Sequence, residues 1–280
     1  MNTLDAILLG IVQGLTEFLP VSSTAHLIIV GKILGVVLSG EQWTAQVAVM
    51  QLGTLVAVLL YFRHDILSMT KAFITENLHA NRLPVKEQSF DARLAWLVMF
   101  GSFPIVFFGL TLKKYIEGDL TKNLFLIGSM LIIVALVMAL AEKMAQYNKS
   151  MKDVKLKDAM IIGFAQAMAL IPGTSRSGAT ITAGLFLGFD REAAARFSFL
   201  LSIPAILGSG LLELVKVIPM LTEQNMISLG IATLVSGISG YAAIAFLLTY
   251  LRTRSTGAFI IYRIILGIVL FIVAGIGLIQ

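Results

Sequence analysis

Leu19-Pro20-Val21-Ser22-Ser23-Thr24-Ala25-His26 lies between apolar runs at about 4–18 and 27–38, each too short to cross a bilayer. Ile171-Pro172-Gly173-Thr174-Ser175-Arg176-Ser177-Gly178 lies in the same way between 159–170 and 179–189. A polar Pro/Gly/Ser turn between short apolar segments predicts a helical hairpin dipping into the membrane. Its irregular backbone must be buried in protein or line a wet cavity. Polar and ionisable groups at that depth are costly, so each turn is a candidate functional site. Two tilted full spans per pair would leave the same parity, because either arrangement returns the chain to the side it left.

Six further runs, 44–62, 94–112, 123–141, 197–218, 226–250 and 257–279, approach the ~20 residues a bilayer core requires. A composition 58% hydrophobic and 13% charged, with mean hydropathy +0.91, excludes a soluble globular domain. Long apolar runs in place of alternation exclude a membrane β-barrel. The absence of cysteine excludes disulfides and thiolate chemistry. Asp5 stands where a signal peptide carries basic residues, so the start reads as part of the mature fold.

The net charge of +5 does not point to nucleic acid, because the basic residues gather in loops. Segments 63–93, 142–157, 190–196 and 251–256 hold 14 Lys/Arg, against 4 in the opposite loops 113–122 and 216–225. The positive-inside rule places the first set in the cytoplasm and both termini outside. The first hairpin then enters from outside and the second from the cytoplasm. Gly10-Ile11-Val12-Gln13 aligns with Gly163-Phe164-Ala165-Gln166 at an offset of 153, which also carries 44–62 onto 197–215. Three spans separate the hairpins, so the repeats have opposite orientation, an arrangement common in transporters. The expected fold is an all-α polytopic membrane protein: six transmembrane helices plus two re-entrant helical hairpins in an inverted-topology repeat. Residues 1–280 form a single membrane domain. The first repeat is 1–141 (hairpin 4–38) and the second 142–280 (hairpin 159–189).

Gln13 and Glu17 share a helix face, and Glu17 lies just before Pro20. A carboxylate there needs a metal ion, a cation or a proton, unless it meets headgroup water. Ser22, Ser23 and Thr24 supply hydroxyls, which either cap the helix starting near Ala25 or act as nucleophiles. His26 is suited to accept a hydroxyl proton near neutral pH. Arg176 stands in a glycine-flanked loop ahead of the helix starting near Ala179. Backbone N–H donors and the helix dipole favour an anion there, and arginine adds a planar fork matched to phosphate. A salt bridge from Arg176 to Glu17 is the structural alternative, compatible with phosphate binding in the ligand-free protein. Arg263 reads as snorkelling or pairing with a neighbouring helix, Pro104 and Pro204 as kinks, and Lys32 as reaching outer headgroups. The set suits phosphoryl transfer from an anionic lipid, with Arg176 on the phosphates, serine attacking, histidine moving protons and Glu17 holding a divalent cation.

Gln13 through His26, with Pro172 through Gly178, closely resemble the two signature motifs of the undecaprenyl-diphosphate phosphatases, the bacitracin-resistance family. The resemblance extends over the whole chain and includes Arg196-Phe197-Ser198-Phe199-Leu200. It implies a bacterial plasma-membrane enzyme that removes the terminal phosphate of undecaprenyl diphosphate, recycling the carrier for peptidoglycan. It also implies dependence on a divalent cation (Mg2+ or Ca2+) and an active site open to the extracytoplasmic side. Ser23 would be the nucleophile, His26 the acid/base, and Gln13 with Glu17 the pair tied to metal and diphosphate. Arg176, Ser175 and Thr174, with Gly173 and Ser177, would form the phosphate loop, and Ser22 and Thr24 would line the substrate. Gln13 departs from the Glu common in the family, leaving Glu17 as the single carboxylate. Ala25 replaces a common Gly. A lipid flippase or secondary transporter is the alternative reading, and it has no need of Ser23 as a nucleophile. Attack by Ser22 or by water, and self-association as a homodimer, stay open.

Overall fold

The computed structural model describes residues 2–36, 40–78, 83–112, 122–220 and 222–276. Parts of the loops used in the charge count, and the outermost repeat boundaries, lie outside the described residues. Among those described, the chain opens with α1 (Thr3–Phe18), α2 (Ser23–Ile33), α3 (Gly40–Tyr61), α4 (Arg63–Asn77) and α5 (Phe90–Thr111). It continues with α6 (Leu124–Met144), α7 (Leu156–Ala167), α8 (Arg176–Phe186), α9 (Arg191–Val217), α10 (Glu223–Leu251) and α11 (Gly257–Gly275). Six of these, α3, α5, α6, α9, α10 and α11, are long and apolar enough to cross a membrane. They answer to the six expected spans. Helix α9 begins earlier than expected because Asp190 caps it, accepting from the Ala193 N–H at 2.7 Å. Helix α4, inside the 63–93 loop, was not expected.

The four hairpin helices are 11 to 16 residues long. At ~1.5 Å per residue they fall short of a ~30 Å hydrocarbon core. The second hairpin closes on itself: the Asn148 and Lys149 N–H groups donate to Gly188 O at 2.9 and 3.0 Å, and Asp190 N–H to Lys149 O at 2.8 Å. Its two ends therefore lie side by side, an arrangement compatible with re-entry.

Packing is reciprocal between the halves. Helix α1 lies against α10 and α7 against α5, while α3 meets α9 and α6 meets α11. That pattern is compatible with inverted repeats. Gly10 and Gly163, aligned by the repeat, sit at the equivalent crossings. A Cβ on Gly10 would meet the Ala232 carbonyl oxygen at 2.5 Å, and one on Gly163 would collide with the Gly101 carbonyl. Only glycine lets these backbones approach so closely.

The basic ends of the helices are stitched together. Glu142 accepts from Arg191 Nε at 2.6 Å and from the Thr256 hydroxyl at 2.7 Å. Tyr147 donates to the same carboxylate at 2.9 Å, and burial together with Glu142 raises its phenol above the usual range. Arg252 forks onto Glu192 at 2.9 and 3.0 Å. Large apolar side chains such as Phe103, Leu136, Val215 and Ile238 stay exposed, as surfaces meeting lipid tails must.

Candidate active site

Glu17 lies in the last turn of α1, and its side chain is 3% exposed. One oxygen accepts from Gln13 Nε2 at 2.7 Å and from Ser23 Oγ at 2.8 Å. The other is paired with the Arg176 guanidinium. Ser23 and Arg176 are the first residues of α2 and α8, so two positive helix ends converge on one carboxylate. An isolated buried charge is costly; here each charge answers the other across the two helix pairs.

The turns that deliver these groups share a backbone signature. Ser22 and Ser175, which precede the two helices, have φ of 75° and 70°. A non-glycine residue in that region costs on the order of 1–3 kcal/mol, and such strain concentrates at functional sites. Ser175 Oγ accepts from the Gly178 N–H at 3.1 Å, capping α8. Gly173 has φ of 90°, and a Cβ there would strike the Ile127 backbone, its carbonyl oxygen lying at 2.5 Å. Ser177 Oγ donates to Leu19 O at 3.0 Å, binding the second hairpin to the turn of the first.

A cavity of about 410 Å³ opens on this cluster. Glu17, Ser22, Ser23, Thr24, Gly173, Ser175 and Arg176 line its inner end. Trp43 and Val47 of α3, Ile105 and Leu110 of α5, and Leu212 of α9 make the walls largely apolar, with Gln51, Ser209 and Glu213 among them. Those helix ends lie opposite the ends that carry the Lys/Arg-rich connections. A polar floor with apolar walls suits an amphiphile whose anionic head enters first.

Among the residues singled out by sequence, the structure gathers Gln13, Glu17, Ser23 and Arg176, with Ser22, Thr24, Gly173, Ser175 and Ser177 around them. The buried Thr174 hydroxyl finds no hydrogen-bond partner among the described residues. His26 is turned elsewhere. Its Nδ1 faces Ser22 O at 2.7 Å and its Nε2 the Tyr262 hydroxyl at 2.6 Å, with the two rings stacked. The hydroxyl of Ser23 thus has a carboxylate as its acceptor, where the sequence pointed to an imidazole. Tyr262 escaped sequence reading because it lies on α11, far along the chain, and nothing in its local pattern signals a partner.

Gln13 Oε1 is buried and has no hydrogen-bond partner among the described residues, and its amide nitrogen donates to Glu17. An amide oxygen plus one carboxylate, completed by substrate phosphates, fits a hard divalent cation. Among the described residues no group of three or more His, Cys, Asp or Glu could hold a metal ion, so such a cation would depend on the substrate for most of its ligands.

The family described as bacitracin resistance protein BacA matches residues 6–269. An undecaprenyl-diphosphatase of Syntrophobacter fumaroxidans is 52% identical, over 95% of this chain and 95% of its own length. One from Chlorobaculum parvum is 49% identical over 99% of both chains. One from Myxococcus xanthus is 48% identical over 97% of this chain and 89% of its own.

Proposed function

We propose, from the premise that this chain belongs to the bacitracin resistance protein BacA family, that it is an integral membrane undecaprenyl-diphosphatase. It hydrolyses undecaprenyl diphosphate to undecaprenyl phosphate and inorganic phosphate. That reaction returns the lipid carrier to cell-wall synthesis and confers bacitracin resistance. The observation that carries the chemistry is the Ser23–Glu17–Arg176 chain of contacts at the floor of an apolar-walled cavity.

The terminal phosphate enters between Arg176 and the N-termini of α2 and α8, where the guanidinium fork and the first-turn N–H groups hold its oxygens. Arg176 exchanges part of its hold on Glu17 for the phosphate. Ser23 Oγ attacks phosphorus while its proton passes to Glu17, which already accepts that hydroxyl. The Oγ–P bond forms, the bridging P–O bond breaks, and undecaprenyl phosphate leaves. Water then cleaves the phosphoserine and releases inorganic phosphate. His26 supplies the second base, after its ring leaves Tyr262; catalytic hydrogen bonds commonly form only in the substrate complex. Glu17 and Gln13 Oε1 would hold a divalent cation, which when bound supplies charge neutralisation on the diphosphate.

The positive-inside rule supports a cytoplasmic position for the stitched basic ends. The cavity mouth then faces the extracytoplasmic side of the plasma membrane. Phosphate release from undecaprenyl diphosphate by purified protein, with Mg2+ and then with EDTA, tests the reading. Cation-dependent release is expected. No release by folded protein under either condition would favour the transporter alternative.

A further inference from the structure

Arg263 lies within α11 and is fully buried, at 0% exposure. From sequence it reads as snorkelling or pairing with a neighbouring helix; it does pair with the neighbouring α6, and it also reaches the turns of both hairpins. Among the described residues no carboxylate pairs with it, and its hydrogen bonds go to backbone carbonyls. Nη1 donates to Pro20 O at 3.2 Å, in the turn of the first hairpin. Nη2 donates to Gly173 O at 3.1 Å and Thr174 O at 3.0 Å, in the turn of the second. Nε donates to Leu131 O at 3.2 Å and Nη2 to Met130 O at 3.3 Å, both on α6.

We propose that Arg263 is a positioning residue for the phosphate site, holding the two re-entrant turns in register. The inference rests on the phosphatase reading. Each peptide is planar, with its C=O and the following N–H antiparallel. Fixing the Thr174 carbonyl on Arg263 therefore turns the Ser175 N–H away from it, on the loop whose Gly173 and Ser175 line the cavity. Fixing Pro20 holds the turn that leads into Ser22 and Ser23. One planar donor fork thus sets how far apart the nucleophile and the phosphate-binding arginine stand. Lysine, a single point donor, cannot span both turns. The guanidinium also leaves a positive charge just behind the anion site, with no carboxylate contact among the described residues.

The test compares purified Arg263→Lys and Arg263→Gln with the parent on undecaprenyl diphosphate, measuring kcat and KM separately alongside thermal melting in detergent. Gly128→Ala serves as control: it crowds the same α6–α11 contact, where a Cβ would lie 3.2 Å from Gly267 O, without touching Arg263. We expect both Arg263 variants to be monodisperse with kcat reduced about 100-fold, as for an ångström-scale misplacement of reacting groups. KM should stay within about threefold. Gly128→Ala should melt lower but keep its kcat. Parental kcat in either folded Arg263 variant would overturn the assignment. So would equal kcat loss in Gly128→Ala, or failure of both Arg263 variants to fold, which would make the residue one of general structure. An inactive parent would instead defeat the phosphatase reading itself.

Discussion

At Glu17 a single carboxylate receives three donors drawn from α1, α2 and α8. Its chemistry is that of an acceptor already aligned on a hydroxyl. Glu17→Gln keeps the shape and removes the charge. Its kcat should fall by about 10²–10⁴, the usual contribution of a positioned acid/base, and its response to added Mg2+ should flatten. An unchanged cation titration would move the metal elsewhere. Arg176→Lys should lose about 10²–10³ in kcat/KM, because one ammonium cannot reproduce a bidentate hold on phosphate. Full activity in that variant would refute specific recognition by the fork. The residue types at this site could be read directly from the two motifs. Their partners could not. Ser23 and Glu17 are separated by a strained turn whose φ at Ser22 decides the pairing, and no local pattern announces that His26 stacks on Tyr262 instead.

At the scale of elements, the two pairs of short helices were legible, and their lengths are compatible with re-entry, because Pro20 and Pro172 break apolar runs that are already too short to span. Helix starts shifted slightly: α2 and α8 begin at Ser23 and Arg176, earlier than the apolar pattern suggests, because Ser22 and Ser175 adopt the turning conformation themselves. Helix α4 went unread, since its charged and polar residues give no sustained apolar face. Glycine spacing carried more. Gly10 and Gly163 marked the repeat in sequence and prove to be crossing points of α1 with α10 and α7 with α5. Gly163→Ala should therefore destabilise the folded protein by ~1–3 kcal/mol, the usual cost of overpacking. A lowered melting temperature in detergent would register it; an unchanged one would contradict the tight crossing.

Across the whole molecule, the two halves make one site. Neither hairpin holds both Ser23 and Arg176, and α11 reaches both turns through Arg263. The proposed orientation rests on the distribution of charge. The chain has no cysteine, so single cysteines can report sidedness. Lys152→Cys, beside the closed end of the second hairpin, should react with a membrane-impermeant maleimide only after permeabilisation. Asn225→Cys, at the start of α10, should react in intact cells. The opposite pattern would invert the topology and turn the cavity mouth to the cytoplasm.

Serine attack from the floor of a membrane cavity is tested most directly by inorganic phosphate release from undecaprenyl diphosphate, parent against Ser23→Ala, both folded in detergent with Mg2+. The parent should turn over and the variant should lose at least about 10³-fold, the scale of a missing nucleophile. Release by Ser23→Ala at the parental rate would contradict that mechanism.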